Sequence, residues 1–208
     1  MSVLECAPRG GLVVILSAPS GCGKSTLARR LLERRPDVQV SISHTTRAPR
    51  GSEQDGQAYH FVNPAQFQEL MEADGFLEHA VVYGEHYGTS RAEIDRIHAE
   101  GCHVLLDIDT QGGHQVATRL EGVVSVFILP PSMQELERRL RERKTDTEEK
   151  QRLRLSRARD EIRIAHTYQH VIVNDDLDVA VEELFMIVST EERRASRMAP
   201  VVDALLLK

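Results

Sequence analysis

Ser17-Ala18-Pro19-Ser20-Gly21-Cys22-Gly23-Lys24-Ser25-Thr26 decides how this chain is read. It follows an apolar run, Leu12–Ser17, and opens a helical pattern, Lys24–Arg35, that stops before Pro36. A buried strand, a glycine-rich turn and a helix headed by Gly-Lys-Ser make the context of a phosphate-binding loop. Glycine at 21 and 23 allows successive backbone N–H groups to converge on phosphate oxygens. The helix N-terminus adds about half a positive charge. Lys24 is suited to the β- and γ-phosphates and Ser25 to Mg²⁺. The strict pattern begins with glycine, and Ala18 stands there instead. A glycine-rich turn without a ligand is the competing reading, which the flanking strand and helix disfavour.

Four further runs, Val38–Ile42, Val104–Ile108, Val123–Leu129 and Val171–Val173, are nearly continuous in apolar residues, as strands covered on both faces are. Helical patterns alternate with them. Thr89–Glu100 stops before Gly101, and Ser132 with Glu135 predicts a reciprocal capping box, as does Asp146 with Glu149. The expected class is α/β: a parallel sheet of the P-loop NTPase type with helices on both faces. The 208 residues suit one domain, with 41% apolar residues to supply its core. The net charge of −6 argues against a dedicated nucleic-acid binder. Cys6, Cys22 and Cys102 form neither a disulfide framework nor a zinc ribbon, which fits a reducing cytoplasm. No signal peptide is read at the start, and the longest apolar run, Leu12–Leu16, is too short for a bilayer, so no membrane partner is expected.

Two segments break the rhythm. In residues 43–88, Tyr59–Val62 and Phe76–Tyr83 look like strands and Asn63-Pro64 like a helix start, so a small inserted mixed sheet is expected. Residues 134–163 hold eleven of the 26 Lys and Arg against eight acids and read as two charged helices joined at Arg143–Thr145. One domain over 1–208 follows, with a core of 1–42, 98–133 and 170–208, an insertion at 43–97 and a lid at 134–169. Met198–Lys208 reads as an extra helical turn or a loose tail.

Asp107 ends a buried-strand pattern, where a carboxylate can orient Mg²⁺ waters; capping the helix Thr110–Leu120 is its bland alternative. The chain is a poor fit for a helicase core and lacks Asn-Lys-x-Asp, which leaves a small kinase. Arg47 and Arg50, three apart, match phosphate oxygens with paired donors, against the alternative of a solvated turn. Tyr59 and Tyr87 would add hydroxyl donors if the segment folds back. Glu78 sits in an apolar strand pattern, where a buried carboxylate needs donors. Guanine offers N1–H and N2–H₂; an outward-facing strand acid is the alternative. His166 and His170, four apart, suit one helix face, with no third metal ligand evident. Cys22, beside a helix N-terminus, invites a lowered thiol pKa and oxidation that blocks the loop.

Taken together, SAPSGCGKST, SHTTRAPR, FLEHAVVYGEHYGTSR, LLDIDTQG, FILPPS and VIVNDD, in this order from Gly11 to the helix after Asp176, resemble the guanylate kinase family in its bacterial single-domain form. The resemblance implies a core, a GMP-binding insertion and a lid. It implies the reaction ATP + GMP to ADP + GDP in purine nucleotide recycling, with Mg²⁺. ATP would lie on Ala18, Pro19, Ser20, Gly21, Cys22, Gly23, Lys24, Ser25 and Thr26, with Asn174 on the adenine side. Ser43, Arg47, Arg50, Tyr59 and Tyr87 would face the GMP phosphate, and Glu78, Thr89 and Asp109 the guanine edge. Asp107 is placed with both the metal and GMP. Arg139, Arg143 and Arg154 match the lid arginines, which with Lys24 and Arg47 would carry catalysis. The lid departs from the family's R-L-x-G-R-G, because Glu142 and Lys144 replace its glycines. Gly113 stands where a small apolar residue is common, and a weaker helix start is expected. Two rivals remain: a catalytically silent module binding phosphorylated peptides, and a kinase of another monophosphate. The intact Gly23-Lys24-Ser25, Asp107 and lid arginines disfavour the first. Oligomeric state stays open.

Overall fold

The computed structural model describes residues 11–82, 84–142 and 148–206. From β1 (Val13–Ser17) the chain passes through the glycine-rich turn and α1 (Lys24–Arg34) to β2 (Val38–Val40). A second sheet unit follows: β3 (His44–Thr45), β4 (His60–Phe61), α2 (Pro64–Glu72), β5 (Phe76–Val82) and β6 (Glu85–Ser90). Then α3 (Arg91–Ala99) leads to β7 (His103–Asp107), α4 (Thr110–Arg119) and β8 (Val124–Leu129). The remainder is α5 (Met133–Glu142), α6 (Glu148–Arg163), a 3₁₀ turn (Ala165–Thr167), β9 (His170–Val173), α7 (Leu177–Glu191) and α8 (Ala195–Leu206).

The central sheet has the order β2-β7-β1-β8-β9 with every neighbouring pair parallel. All five residues of β1 are buried because alternate side chains enter two separate cores. Val14 and Leu16 pack with Leu27 and Leu31 of α1 and Leu184 of α7. Val13 and Ile15 pack with Ile94 and Ile97 of α3 and Val116 of α4. Each fully buried Leu or Ile here contributes about 1.5–3 kcal/mol. This double covering is what makes the strands read as continuous apolar runs.

The second sheet, β4-β3-β6-β5, is mixed: β3 pairs parallel with β4, while β6 runs antiparallel to both β3 and β5. Asn63 and Gln66 form a capping box at α2, with Pro64 as its first residue. The inserted mixed sheet expected from residues 43–88 is therefore present.

Local boundaries depart from expectation in instructive ways. The helix expected over Thr89–Glu100 begins at Arg91, because Thr89 pairs with Glu78 in the β5–β6 ladder and Ser90 is the cap. At α5, Ser132 Oγ accepts from the Glu135 N–H at 3.1 Å. The return half of that box is replaced, since the Glu135 carboxylate takes Arg138 and Arg139 instead. Asp146 and the joint at Arg143–Thr145 lie outside the described residues. His166 sits in the 3₁₀ turn and His170 in β9, so they share no helix face. Residues 195–206 form a full helix rather than one turn. Among the described residues no helix is long and apolar enough to cross a membrane.

At the N-terminal edge of the central sheet an ionic cluster joins several elements. Arg35 donates to the Asp37 carboxylate at 2.8 and 2.6 Å and also engages Glu192. His103 Nε2 lies 2.6 Å from Glu192. The Leu12 N–H donates to His103 Nδ1 at 2.9 Å, so the ring proton is on Nε2 and the imidazole is neutral. Burial pushes the pKa of His103 down.

Candidate functional site

The loop between β1 and α1 takes its shape from two left-handed glycines, Gly21 at φ 96° and Gly23 at φ 86°. A Cβ at 23 would lie 2.4 Å from Asn174 Nδ2, and one at 21 would press on Leu136 and Leu140 of α5. The Cys22 N–H closes the turn onto the Pro19 carbonyl at 3.2 Å. The Gly23 carbonyl accepts from Thr26 N–H at 3.0 Å to start the helix. Ala18, in place of the first glycine, packs against the core.

Lys24 points back to the end of β7. Its ammonium lies 2.8 Å from Asp107 Oδ1 and donates to the Ile108 carbonyl at 2.8 Å. Ser25 Oγ donates to the other Asp107 oxygen at 3.4 Å. Capping of α4 falls instead to Asp109, which accepts from Gly112 N–H at 2.8 Å. The bland alternative for Asp107 is thereby removed. The Ser25 hydroxyl and the Asp107 carboxylate are adjacent hard oxygen donors, a set that suits Mg²⁺.

Arginines of α5 and α6 reach this loop and Asn174 beside it. Arg139 on α5 donates from both terminal nitrogens to the Asn174 carbonyl at 3.1 Å, and from Nε to Glu135 at 2.8 Å. Arg154 on α6 donates to Ser20 Oγ at 3.0 Å. Arg143 lies outside the described residues. Asn174 is only 5% exposed and its amide donates to the Cys22 carbonyl at 2.7 Å. Its side chain therefore braces the loop from beneath rather than reaching outward. Glu142, at the first replaced glycine, pairs with Arg138 at 2.5 Å and extends α5.

Beside the loop an open cleft of about 510 Å³ separates the two sheets. Ser43, Arg47, Arg50, Tyr59, Tyr87, Glu78, Asp107 and Asp109 all line it. Arg47 is 7% exposed and grips Glu53 with two hydrogen bonds of 2.9 and 3.1 Å. Its guanidinium lies 5.2 Å from the Tyr59 ring centroid, and the Tyr59 and Tyr87 rings meet edge-on at 5.8 Å. Burial pushes the Tyr59 phenol up in pKa, so it stays a neutral donor. Arg50 is exposed, with its backbone N–H on Glu53 at 2.8 Å. The solvated-turn reading thus holds for neither the burial nor the partners of Arg47.

Glu78 is 5% exposed, which overturns the outward-facing alternative. Thr89 Oγ1 donates to Glu78 Oε1 at 2.6 Å. Burial raises the pKa of Glu78 and the Thr89 hydrogen bond counters it. The second carboxylate oxygen has room because Gly112 backs it.

One expectation fails on packing. Cys22 is fully buried in the core, and burial pushes its thiol up to about 12, so it is neither acidic nor accessible. The helix with Gly113 near its start spans Thr110–Arg119, and a Cβ at 113 would come within 3.0 Å of Tyr168 Oη and 3.2 Å of Ile15 and Ser17, so the position is tightly packed. Two acids escaped the sequence reading. Glu53 lies six residues past Arg47 in an irregular loop, where only its proximity to two arginines hinted at a role. Glu161 on α6 is half-buried, its pKa raised by burial and by Asp109 while Lys24 opposes the shift. Its place among the charges of the lid segment gave no signal.

Comparison with known proteins agrees with this geometry. A model of the family described as "Guanylate kinase" matches residues 11–191. Guanylate kinase of Escherichia coli (strain K12) is 48% identical over 200 residues, covering 95% of this chain and 97% of that protein. The guanylate kinase of Rhodospirillum rubrum is 46% identical over 191 residues, covering 91% and 88%. The crystal structure of guanylate kinase from Anaplasma phagocytophilum superposes with a TM-score of 0.78 at 33% identity, covering 100% of this chain and 98% of that one. With likeness over nearly its whole length, the chain belongs to the guanylate kinase family.

Proposed function

We infer that the chain transfers the γ-phosphoryl group of ATP to GMP, giving ADP and GDP. The observation that carries this reading is the composition of the cleft. Arg47, Tyr59 and Tyr87 bring donors and Glu78 and Asp109 acceptors to one cleft, and Lys24 stands on Asp107, which lines it too.

Arg47 and Arg50, with Ser43, Tyr59 and Tyr87, hold the GMP phosphate; guanidinium pairs match its oxygens. Glu78 and Asp109 accept from guanine N1–H and N2–H₂, with Thr89 fixing Glu78. Backbone N–H groups from Ala18 to Thr26 cradle the ATP phosphates, and Lys24 turns from Asp107 toward them. Asn174 serves the ATP side through its backbone and through the loop it braces. Ser25 and Asp107 would hold Mg²⁺, which supplies positive charge to the donor phosphates. Arg139, Arg143 and Arg154 neutralise the group in transit.

The acceptor is a phosphate oxygen already ionised at neutral pH, so no residue acts as general base. The obstacle is repulsion between two anionic substrates, and positioned cations remove it. Residues 134–169 act as a lid over residues 43–97 and the core, excluding water that would hydrolyse ATP. The two described cysteines are free, in keeping with a reducing cytoplasm.

A steady-state ADP-release assay with each nucleoside monophosphate tests the reading. GMP should exceed AMP by on the order of 10⁴ in kcat/KM, because adenine leaves the buried carboxylate unpaired. Equal rates with AMP refute the base assignment. GMP binding without ADP release refutes the enzyme and favours a silent module.

A further inference from the structure

We propose that Gly112 is a positioning residue for guanine selection, its missing side chain letting one backbone position set both base-reading carboxylates. This rests on Glu78 and Asp109 being the guanine readers.

Gly112 is the third residue of α4 and is buried. A Cβ at this position would lie 2.8 Å from Glu78 Oε2 and 3.2 Å from its carboxyl carbon. Glu78 cannot step aside without loss. It is 5% exposed, and Thr89 Oγ1 holds its other oxygen at 2.6 Å. The Gly112 N–H meanwhile donates to Asp109 Oδ1 at 2.8 Å. One residue thus fixes Asp109 by its amide and admits Glu78 by its bare Cα. The neighbouring glycine faces the other way. A Cβ at 113 would meet Tyr168 Oη at 3.0 Å and Ile15 Cγ2 and Ser17 Oγ at 3.2 Å, and neither base-reading carboxylate is among its nearest atoms. The pair therefore separates recognition from packing within two residues.

The test compares Gly112→Ala and Gly113→Ala in steady-state kinetics and thermal melts. Gly112→Ala displaces Glu78, so KM for GMP should rise roughly tenfold or more, the loss of one hydrogen bond to a charged group. KM for ATP should stay within about twofold, since the atoms nearest the added Cβ belong to Glu78 and Asp109 and none to the loop. The preference of a helix for Ala over Gly is outweighed by the displacement of buried Glu78 from Thr89, so the melting temperature should fall. Gly113→Ala should lower the melting temperature and leave KM for GMP unchanged. In a Glu78→Asp background the shorter side chain clears position 112, so Gly112→Ala should add less than about twofold.

If Glu78→Gln leaves KM for GMP unchanged, the reading of Glu78 fails. If Glu78→Gln raises it while Gly112→Ala does not, this inference fails alone. An equal rise in both KM values, or an undiminished effect in the Glu78→Asp background, also overturns it. Should Gly112→Ala alone not fold, the double variant with Glu78→Asp must fold; failure of both removes Glu78 as the group that Gly112 accommodates.

Discussion

Replacing Arg47 with Ala removes the one buried guanidinium that lines the cleft, and the structure sets the size of the effect. Both terminal nitrogens of Arg47 bond Glu53, at 2.9 and 3.1 Å. Binding the GMP phosphate therefore exchanges one forked pair for another rather than creating two new bonds. A hydrogen bond involving a charged group is worth about 1.5–3 kcal/mol. Two gained, less the two surrendered to Glu53 and partly regained as water reaches that acid, leave a net of about one bond. That corresponds to a fall in kcat/KM for GMP of roughly 10- to 150-fold. KM for ATP should move by less than about twofold, because Arg47 lies in the bend after β3 and not at the loop. Arg47→Lys should recover only part of the loss, since an ammonium cannot fork across two oxygens. The assay is coupled ADP release with each substrate varied at saturation of the other, alongside a thermal melt. Equal rises in both KM values, or no change in either, refute the acceptor role.

Lys24→Ala should abolish transfer while leaving the circular-dichroism spectrum intact, since Asp107 keeps Ser25 as a partner; full activity would remove the phosphate cradle. Cys22 should resist thiol reagents at neutral pH, being buried with its thiol pushed up to about 12. Rapid labelling of Cys22 by mass spectrometry, blocked by ATP, would contradict this. His103 should make the fold acid-sensitive. Burial holds its folded pKa below its ordinary 6.5, so the unfolded chain takes the proton first. Its contribution is complete above about 6.5 and is lost as pH falls below that value. Denaturant titrations from pH 8 to 5 should show a shallower loss in His103→Gln than in the native chain; parallel curves would exclude the histidine. His44, also depressed by burial, adds a slope of the same sign to both.

The elements legible in the sequence were those whose pattern depends on one fact. Central strands read as unbroken apolar runs because each is covered twice, as Val14 and Leu16 against Val13 and Ile15 show. The phosphate loop was legible because its glycines answer a local backbone demand. Glu78 stood out because an acid in an apolar strand needs a reason. What could not be read depends on neighbours distant in the chain. The Asn174 amide reaches the Cys22 carbonyl across 152 positions, and no local pattern announces that β9 ends beneath the loop. Spacing misled at His166 and His170, since four-residue separation implies one face only inside a helix. Cys22 misled for the converse reason: a helix N-terminus lowers a thiol pKa, but its burial outweighs that and was invisible.

Strand β7 begins at His103, inside the ionic cluster with Arg35, Asp37 and Glu192, and ends at Asp107, against Lys24. Four residue steps, about 13 Å, separate the clasp that fastens the scaffold from the edge that handles nucleotides. A substitution in the Arg35–Asp37–His103–Glu192 clasp should therefore loosen the scaffold at the far end of β7 from the Lys24–Asp107 pair, and show first as lost stability.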